Sequence, residues 1–284
     1  MQYGLIGEHL EHSFSKEIHI SLGEYQYELK ELAPSQLASF MHARDFEGIN
    51  VTIPYKQDVI PYLDVIDEQA QAIGAVNTVV NRDGKLFGFN TDFFGMQALF
   101  AHAGISAEGK KVAILGTGGT SNTAKSVLES LGAAKILKVS RNPKEGAITY
   151  LDLYQDHSDC QIIVNTTPIG MYPKTDCKPI DVSKFAELCG VIDVIYNPLV
   201  TELVKDARKL GIPAEGGLYM LVAQAVRASE IFLDCEYDSK IVETCYKNLL
   251  SNPVISSGKT ASTAGSFGVE KSRKSQRTGY DVNR

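Results

Sequence analysis

No two of the five cysteines (Cys160, Cys177, Cys189, Cys235, Cys245) stand in a CxxC pair. Scattered and odd in number, they suit reduced thiols better than a disulfide framework or a zinc site, so a cytoplasmic protein without a metal is expected. No run of about 18 apolar residues occurs, so no membrane partner is expected. The opening MQYGLIGEHLEHS lacks both a basic n-region and a long apolar run, and is not read as a secretory signal. Positive charge is not in excess either: 28 Lys and Arg face 34 Asp and Glu, a net charge of −6. That balance argues against nucleic acid as the main partner. There is no internal repeat.

What is present suffices for two domains of ordinary size: 284 residues, 44% hydrophobic and 22% charged. Residues 251–284 read differently, with six Lys and Arg against two acids, so that the tail carries +4 and residues 1–250 carry −10. Rich in Ser, Gly and Thr and without periodicity, this tail is expected to be disordered. Its SGKT (257–260) imitates a phosphate-binding loop, but Pro253 stands where that motif needs glycine, and no strand leads in.

The rest alternates between two grammars. Residues 2–7 form a short buried strand, EIHISLGEYQ begins helically, and 46–53 is strand-like. After Pro54, Val59, Ile60, Leu63 and Ile66 have helical spacing. AVNTVVNRDGKLFGFNTD gives two strands joined by a hairpin at Asn81–Gly84, and Phe93 to Ala103 is a helix stopped by Gly104. From Lys110, apolar strands (KKVAILG, KILKVS, CQIIVNTT, GVIDVIY) alternate with helical runs, which implies a parallel sheet covered on both faces. The fold class is α/β. An N-terminal mixed α/β domain is expected over 1–103 and a doubly wound domain over 104–217, with helices 218–250 packing back on the first.

Gly116-Thr117-Gly118-Gly119-Thr120-Ser121 follows an apolar strand and opens a helix, which is the setting a dinucleotide fingerprint requires. Ser121 replaces the third glycine but is small enough for close helix–strand packing. The next strand ends at Val139, where NAD enzymes commonly carry an acid for the ribose 2′-hydroxyl. Here Ser140-Arg141-Asn142 follows, with no acid. A carboxylate would repel a 2′-phosphate and a guanidinium can grip it, so NADP is expected.

Several polar clusters lie in the first half. In Asn50-Val-Thr-Ile-Pro-Tyr-Lys56, strand alternation puts Val51, Ile53 and Tyr55 on one face and Asn50, Thr52 and Lys56 on the other. That polar face is either a solvated sheet edge or a floor for a hydroxyl-rich ligand. Asn77 follows an apolar run, Asp92 opens a helix, and Ser13 and Ser15 share a face if the chain there is extended. Each also has a plain structural use as a cap or turn residue.

HSFS (12–15), GINVTIPYK (48–56), GAVNT (74–78), GFNTD (88–92), GTGGT (116–120) and GGLYMLVAQA (216–225) occur in this order, and the chain resembles the shikimate dehydrogenases over residues 3–245. The resemblance implies an N-terminal substrate domain and a C-terminal Rossmann-like NADP domain with the active site in the cleft between them. The implied reaction is reduction of 3-dehydroshikimate to shikimate with NADPH, on the way to chorismate and the aromatic amino acids. It makes Ser13 and Ser15 ligands of the substrate carboxylate, and Thr52, Asn77 and Gln224 hydrogen-bonding partners of the carboxylate or ring hydroxyls, with Tyr196 nearby. Lys56 and Asp92 match the catalytic pair. Gly116 to Thr120 match the pyrophosphate loop and Ser140, Arg141 and Asn142 the 2′-phosphate site. Val194, Gly217 and Met220 would adjoin the nicotinamide, and Glu68 would contact the cofactor.

Two positions depart from the family pattern. Lys16 stands where proline is common. Ser140-Arg141-Asn142-Pro143 and Lys144 replace Asn-Arg-Thr and a second arginine, which implies a weaker preference for NADP. The rival readings are a quinate or dual quinate/shikimate dehydrogenase using NAD(P), and a non-catalytic dinucleotide sensor. Either a monomer or a homodimer fits the sequence.

Overall fold

The computed structural model describes residues 1–10, 13–23, 25–143 and 146–251. His12, Lys144 and the expected tail beyond Ser251, with its SGKT stretch, lie outside the described residues. The chain divides into two compact units: Met1–Gln71, Val76–Thr91 and the chain from Val222 on; and Ala72–Ala75 with Asp92–Leu221.

The first unit contains β1 (Tyr3–Gly7), α1 (Ser15–Leu22), β2 (Tyr27–Glu31), α2 (Pro34–Ala43), β3 (Gly48–Val51), β4 (Val65–Ile66), most of α3 (Glu68–Ile73), β5 (Thr78–Arg82) and β6 (Lys85–Phe89). Its sheet runs β2-β1-β3-β5-β6-β4. β1 lies parallel to β2 and β3, β5 runs antiparallel to β3 and β6, and β4 is parallel to β6. The hairpin between β5 and β6 turns at Asp83 and Gly84, whose φ angles of 52° and 81° are the left-handed pair that a two-residue turn needs. Asn81 Oδ1 tightens it by accepting the Gly84 N–H at 3.0 Å.

One face of this sheet is packed through Ile6, Ile49, Val51, Val79 and Leu86 against Leu37 and Met41 of α2. Each such side chain, fully buried, contributes roughly 1.5–3 kcal/mol. Tyr3, Leu5 and Tyr27 form a second cluster with Ala228 and Phe232.

Two sequence expectations fail here. The strand read through 46–53 ends at Val51, and the chain then turns from Ile53 to Val59. Pro54 has no N–H for the ladder, so strand alternation does not carry through to Lys56. Ile53 is 72% exposed while Tyr55 is 1% exposed, the reverse of two residues sharing one face. The helically spaced run 59–66 is not an α-helix: only a single 3-10 turn, Ile60–Tyr62, forms, and Val65–Ile66 pair with β6. Pro61 has no N–H with which to continue the i→i−4 bonding that Val59 makes to Tyr55, and Leu63 is already extended with ψ 139°.

The second unit follows from α4 (Thr91–Ala103) with β7 (Lys111–Leu115), α5 (Gly119–Ser130), β8 (Lys135–Val139), β9 (Ala147–Ile148), α6 (Tyr150–Asp156), β10 (Ile162–Asn165), β11 (Gly190–Asp193), α7 (Glu202–Lys209) and β12 (Ala214–Glu215). Every strand pair is parallel, in the order β12-β11-β10-β7-β8-β9. The chain runs outward from β7 to β9 and then crosses to build β10, β11 and β12 on the other side of β7. The strand faces alternate as the apolar runs require. Ala113, Leu115, Ile163 and Val191 pack with Leu153, Leu203, Val204 and Ala207, while Val112, Ile114, Ile162, Val164 and Ile192 pack with Leu99, Phe100, Val127 and Leu128. This is a doubly wound α/β sheet with a core on each face.

Two more helices follow. α8 (Leu218–Leu233) ends with Phe232 stacked on Tyr3, ring centroids 5.2 Å apart, and α9 (Ile241–Ser251) buries Cys245 and Leu249.

Candidate active site

In the first unit, Ser13 and Ser15 are brought together by a turn rather than by an extended chain. Phe14 has φ −87° and ψ 4°, α1 begins at Ser15, and the Ser13 hydroxyl donates to Ser15 Oγ at 3.1 Å while accepting the Ser15 N–H at 3.3 Å. Thr52 is held beside β1 by its N–H to the Ile6 carbonyl at 2.9 Å. Its methyl lies so close to Gly7 that a Cβ there would come within 2.6 Å of it. Lys56 is half-buried, and its carbonyl accepts the Val76 N–H at 2.8 Å, which ties the 52–59 turn to the segment leading into Asn77.

Asn77 is almost wholly buried. Its Oδ1 accepts the Thr91 backbone N–H at 2.7 Å and the Thr78 hydroxyl at 3.1 Å, and its Nδ2 donates to Thr91 Oγ1 at 3.0 Å. The Thr91 hydroxyl lies 3.4 Å from Gln224 Oε1, so two expected substrate ligands, Asn77 and Gln224, are joined through one threonine. Glu68 is exposed at the start of α3.

Asn50 does not face solvent or an open floor. It is buried among Tyr27, Asn77 and Thr78, and so is a structural member of the cluster. Sequence reading also passed over Tyr27, Thr78 and Thr91. Only Thr78 and Thr91 carried a signal, as hydroxyls adjoining Asn77 and Asp92. Asp92 is buried in the first turn of α4, one residue inside the helix rather than at its cap, and falls in the second unit.

In the second unit, Gly116 has φ +114°, and a Cβ there would come within 2.7 Å of Thr166 Oγ1, so only glycine fits. Gly118 and Gly119 have open space where a Cβ would stand, and α5 starts at Gly119 with no side chain capping it. Thr117 is exposed, Thr120 half-buried and Ser121 fully buried against the sheet, as the small third position requires. A helix N-terminus with bare glycines before it suits a pyrophosphate. At the end of β8, Ser140 Oγ accepts the Asn142 N–H at 3.3 Å, and Arg141 and Asn142 are exposed, with no carboxylate among the three residues. The donor set fits a 2′-phosphate.

Asp193, unremarked in sequence, is the hub of the loops at this end of the sheet. Its carboxylate accepts Asn165 Nδ2 at 3.0 Å, the Ile195 N–H at 3.1 Å and the Thr201 hydroxyl at 2.7 Å. Burial pushes its pKa up to about 6 even though the three donors pull the other way. Beyond it, Val194 and Tyr196 are half-buried, and the Gly217 N–H donates to the Ile195 carbonyl at 2.8 Å. Any Cβ on Gly217 would collide with the Val194 carbonyl. Met220 is a member of the core beside Met96 and Leu99. Among the described residues no group of three His, Cys, Asp or Glu side chains is placed to hold a metal, and no helix is long and apolar enough to cross a membrane.

Comparison with known proteins adds names to this geometry. A family model described as the shikimate dehydrogenase substrate-binding domain matches residues 5–79. The chain is 38% identical over 261 residues to the shikimate dehydrogenase (NADP(+)) of Clostridium beijerinckii, covering 86% of this chain and 96% of that one. Among solved structures it is similar to shikimate dehydrogenase 1 of Peptoclostridium difficile, with TM-score 0.80, 37% identity and coverage of 88% and 98%. It is also similar to the Thermus thermophilus shikimate 5-dehydrogenase in complex with NADP(H) and shikimate, with TM-score 0.77, 26% identity and coverage of 87% and 99%.

Proposed function

This chain belongs to the shikimate dehydrogenase family, and we propose that it catalyses the reversible NADPH-dependent reduction of 3-dehydroshikimate to shikimate, a step of chorismate and aromatic amino acid synthesis. The observation that carries the reading is likeness over nearly the whole length of NADP-dependent relatives. We assign substrate binding and chemistry to residues 1–103 with helices 218–250, and cofactor binding to residues 104–217.

Shikimate is small and covered in oxygens, so many donors and acceptors must fix it. Ser13 and Ser15 hold its carboxylate, and Thr52, Asn77 and Gln224 its oxygens, with Tyr196 beside them. Bound NADPH supplies the hydride. Negative charge then builds on the ketone oxygen, and Lys56 donates the proton there and takes it back in the reverse direction. Asp92 orients the Lys56 ammonium. Gly116, Thr117, Gly118, Gly119 and Thr120 seat the pyrophosphate, Ser140, Arg141 and Asn142 the 2′-phosphate, and Val194, Gly217 and Met220 border the nicotinamide, with Glu68 on the cofactor as well. The five free thiols suit a reducing compartment, and we place the enzyme in the cytoplasm.

The test is turnover of the purified chain with shikimate and with quinate, each paired with NADP⁺ and NAD⁺. Fast reduction with shikimate and NADP⁺ alone supports the reading. Turnover chiefly with quinate or NAD⁺ replaces the substrate or cofactor, and none with any pair leaves a dinucleotide sensor.

A further inference from the structure

Behind Asn77 lies a chain of buried side chains in which backbone groups fix the orientation of both amides. Asn50 Nδ2 lies 3.3 Å from the Asn77 carbonyl, which can only accept, so this end of the Asn50 amide is its NH₂. Asn50 Oδ1 must then take the Tyr27 O–H, at 2.7 Å, and Asn50 Nδ2 also gives a proton to Thr78 Oγ1 at 3.0 Å. The Thr78 hydroxyl lies 3.1 Å from Asn77 Oδ1, to which it donates, and 3.2 Å from Thr91 Oγ1. The Thr91 N–H, an obligatory donor, meets the same oxygen at 2.7 Å and fixes its identity. Asn77 thus has its oxygen filled from inside the protein. Its NH₂ makes one bond to Thr91 Oγ1 and keeps a second N–H for another acceptor.

We infer that Tyr27, Asn50 and Thr78 are positioning residues that hold the Asn77 amide with its N–H toward the substrate, so that this position recognises an oxygen acting as acceptor. Tyr27 is buried, and His19 lies flat on its ring with centroids 4.0 Å apart, so the first donor in the chain is itself held in place. Buried hydrogen bonds in series polarise one another, so removing the far donor weakens the near one. The inference rests on the shikimate reading for the identity of the acceptor.

The experiment is a double-mutant cycle. Thr78→Val is expected to raise KM for shikimate about tenfold, in proportion to one lost hydrogen bond, while KM for NADP⁺ stays unchanged and Thr78→Ser restores the wild-type value. In an Asn77→Ala background, Thr78→Val should have a much smaller effect, what remains passing through Thr91 Oγ1, 3.2 Å from the Thr78 hydroxyl and 3.4 Å from Gln224 Oε1. Equal effects in both backgrounds, or parallel rises in both KM values, overturn the inference. A readout independent of turnover separates it from the shikimate reading: the Asn77 side-chain NH₂ resonances, assigned by their loss in Asn77→Ala, should shift in Tyr27→Phe. Unmoved resonances overturn the inference even if the wild type turns over shikimate. Shifted resonances with no shikimate turnover sustain the relay and discard the substrate.

Discussion

The His19 imidazole stacks on the Tyr27 phenol with planes 6° from parallel, and its Nδ1 is 2.7 Å from the Tyr25 hydroxyl. Full burial lowers the His19 pKa from 6.5 to about 3, so the folded chain keeps this ring neutral. Between those values the unfolded chain binds a proton that the folded chain does not. Stability is therefore lost as pH falls below about 6.5, at up to about 1.4 kcal/mol per pH unit from this group. Urea unfolding midpoints measured from pH 7 to pH 5 should fall, and His19→Phe should fall less steeply. Equal slopes would place the acid sensitivity elsewhere.

Lys56→Ala and Asp92→Asn should each lower kcat by about 10²–10⁴-fold, the usual contribution of a positioned proton donor, with the fold retained. Stopped-flow reduction of NADP⁺ with circular dichroism on the same samples checks this, and full activity in either variant removes that residue from the mechanism.

On the proposed assignment, Arg141→Ala loses a charge-assisted hydrogen bond worth about 1.5–3 kcal/mol, so KM for NADP⁺ should rise about 10- to 100-fold while KM for NAD⁺ barely moves. An equal rise for both cofactors would show that Arg141 supports the loop rather than reads the 2′-phosphate.

Asp193→Ala strands the Asn165 amide, the Ile195 N–H and the Thr201 hydroxyl, each at a cost of about 1–3 kcal/mol if no water reaches it. Chemical denaturation should show a loss of several kcal/mol, and a loss within ~0.5 kcal/mol, the range of ordinary surface changes, would show that the loops hold without this hub.

The second unit was the more legible in the sequence. Its central strands β7, β10 and β11 are apolar and almost wholly buried, so local pattern and final structure coincide. The first unit resisted where one proline changed the rules. Val59, Ile60, Leu63 and Ile66 have helical spacing, but Pro61 leaves room for a single turn. Asn50 looked like a surface residue because its partners, Tyr27 and Thr78, are distant in the chain, and no local pattern reports a bond across a sheet. Asp193 was hidden in part for the same reason, since Asn165 reaches it from the neighbouring strand, 28 residues away in the chain. The motif residues themselves stood out because polar side chains after apolar strands are unusual.

The path of the second unit's chain, outward from β7 and then back across it, opens a crevice at the carboxyl ends of β7 and β10 whatever side chains line it. On the proposed reading, connectivity sets where the dinucleotide sits, and the short loop after Val139 sets which dinucleotide it is. Address and preference are separately heritable. Rewriting that loop is then expected to change the cofactor while leaving the fold as it is.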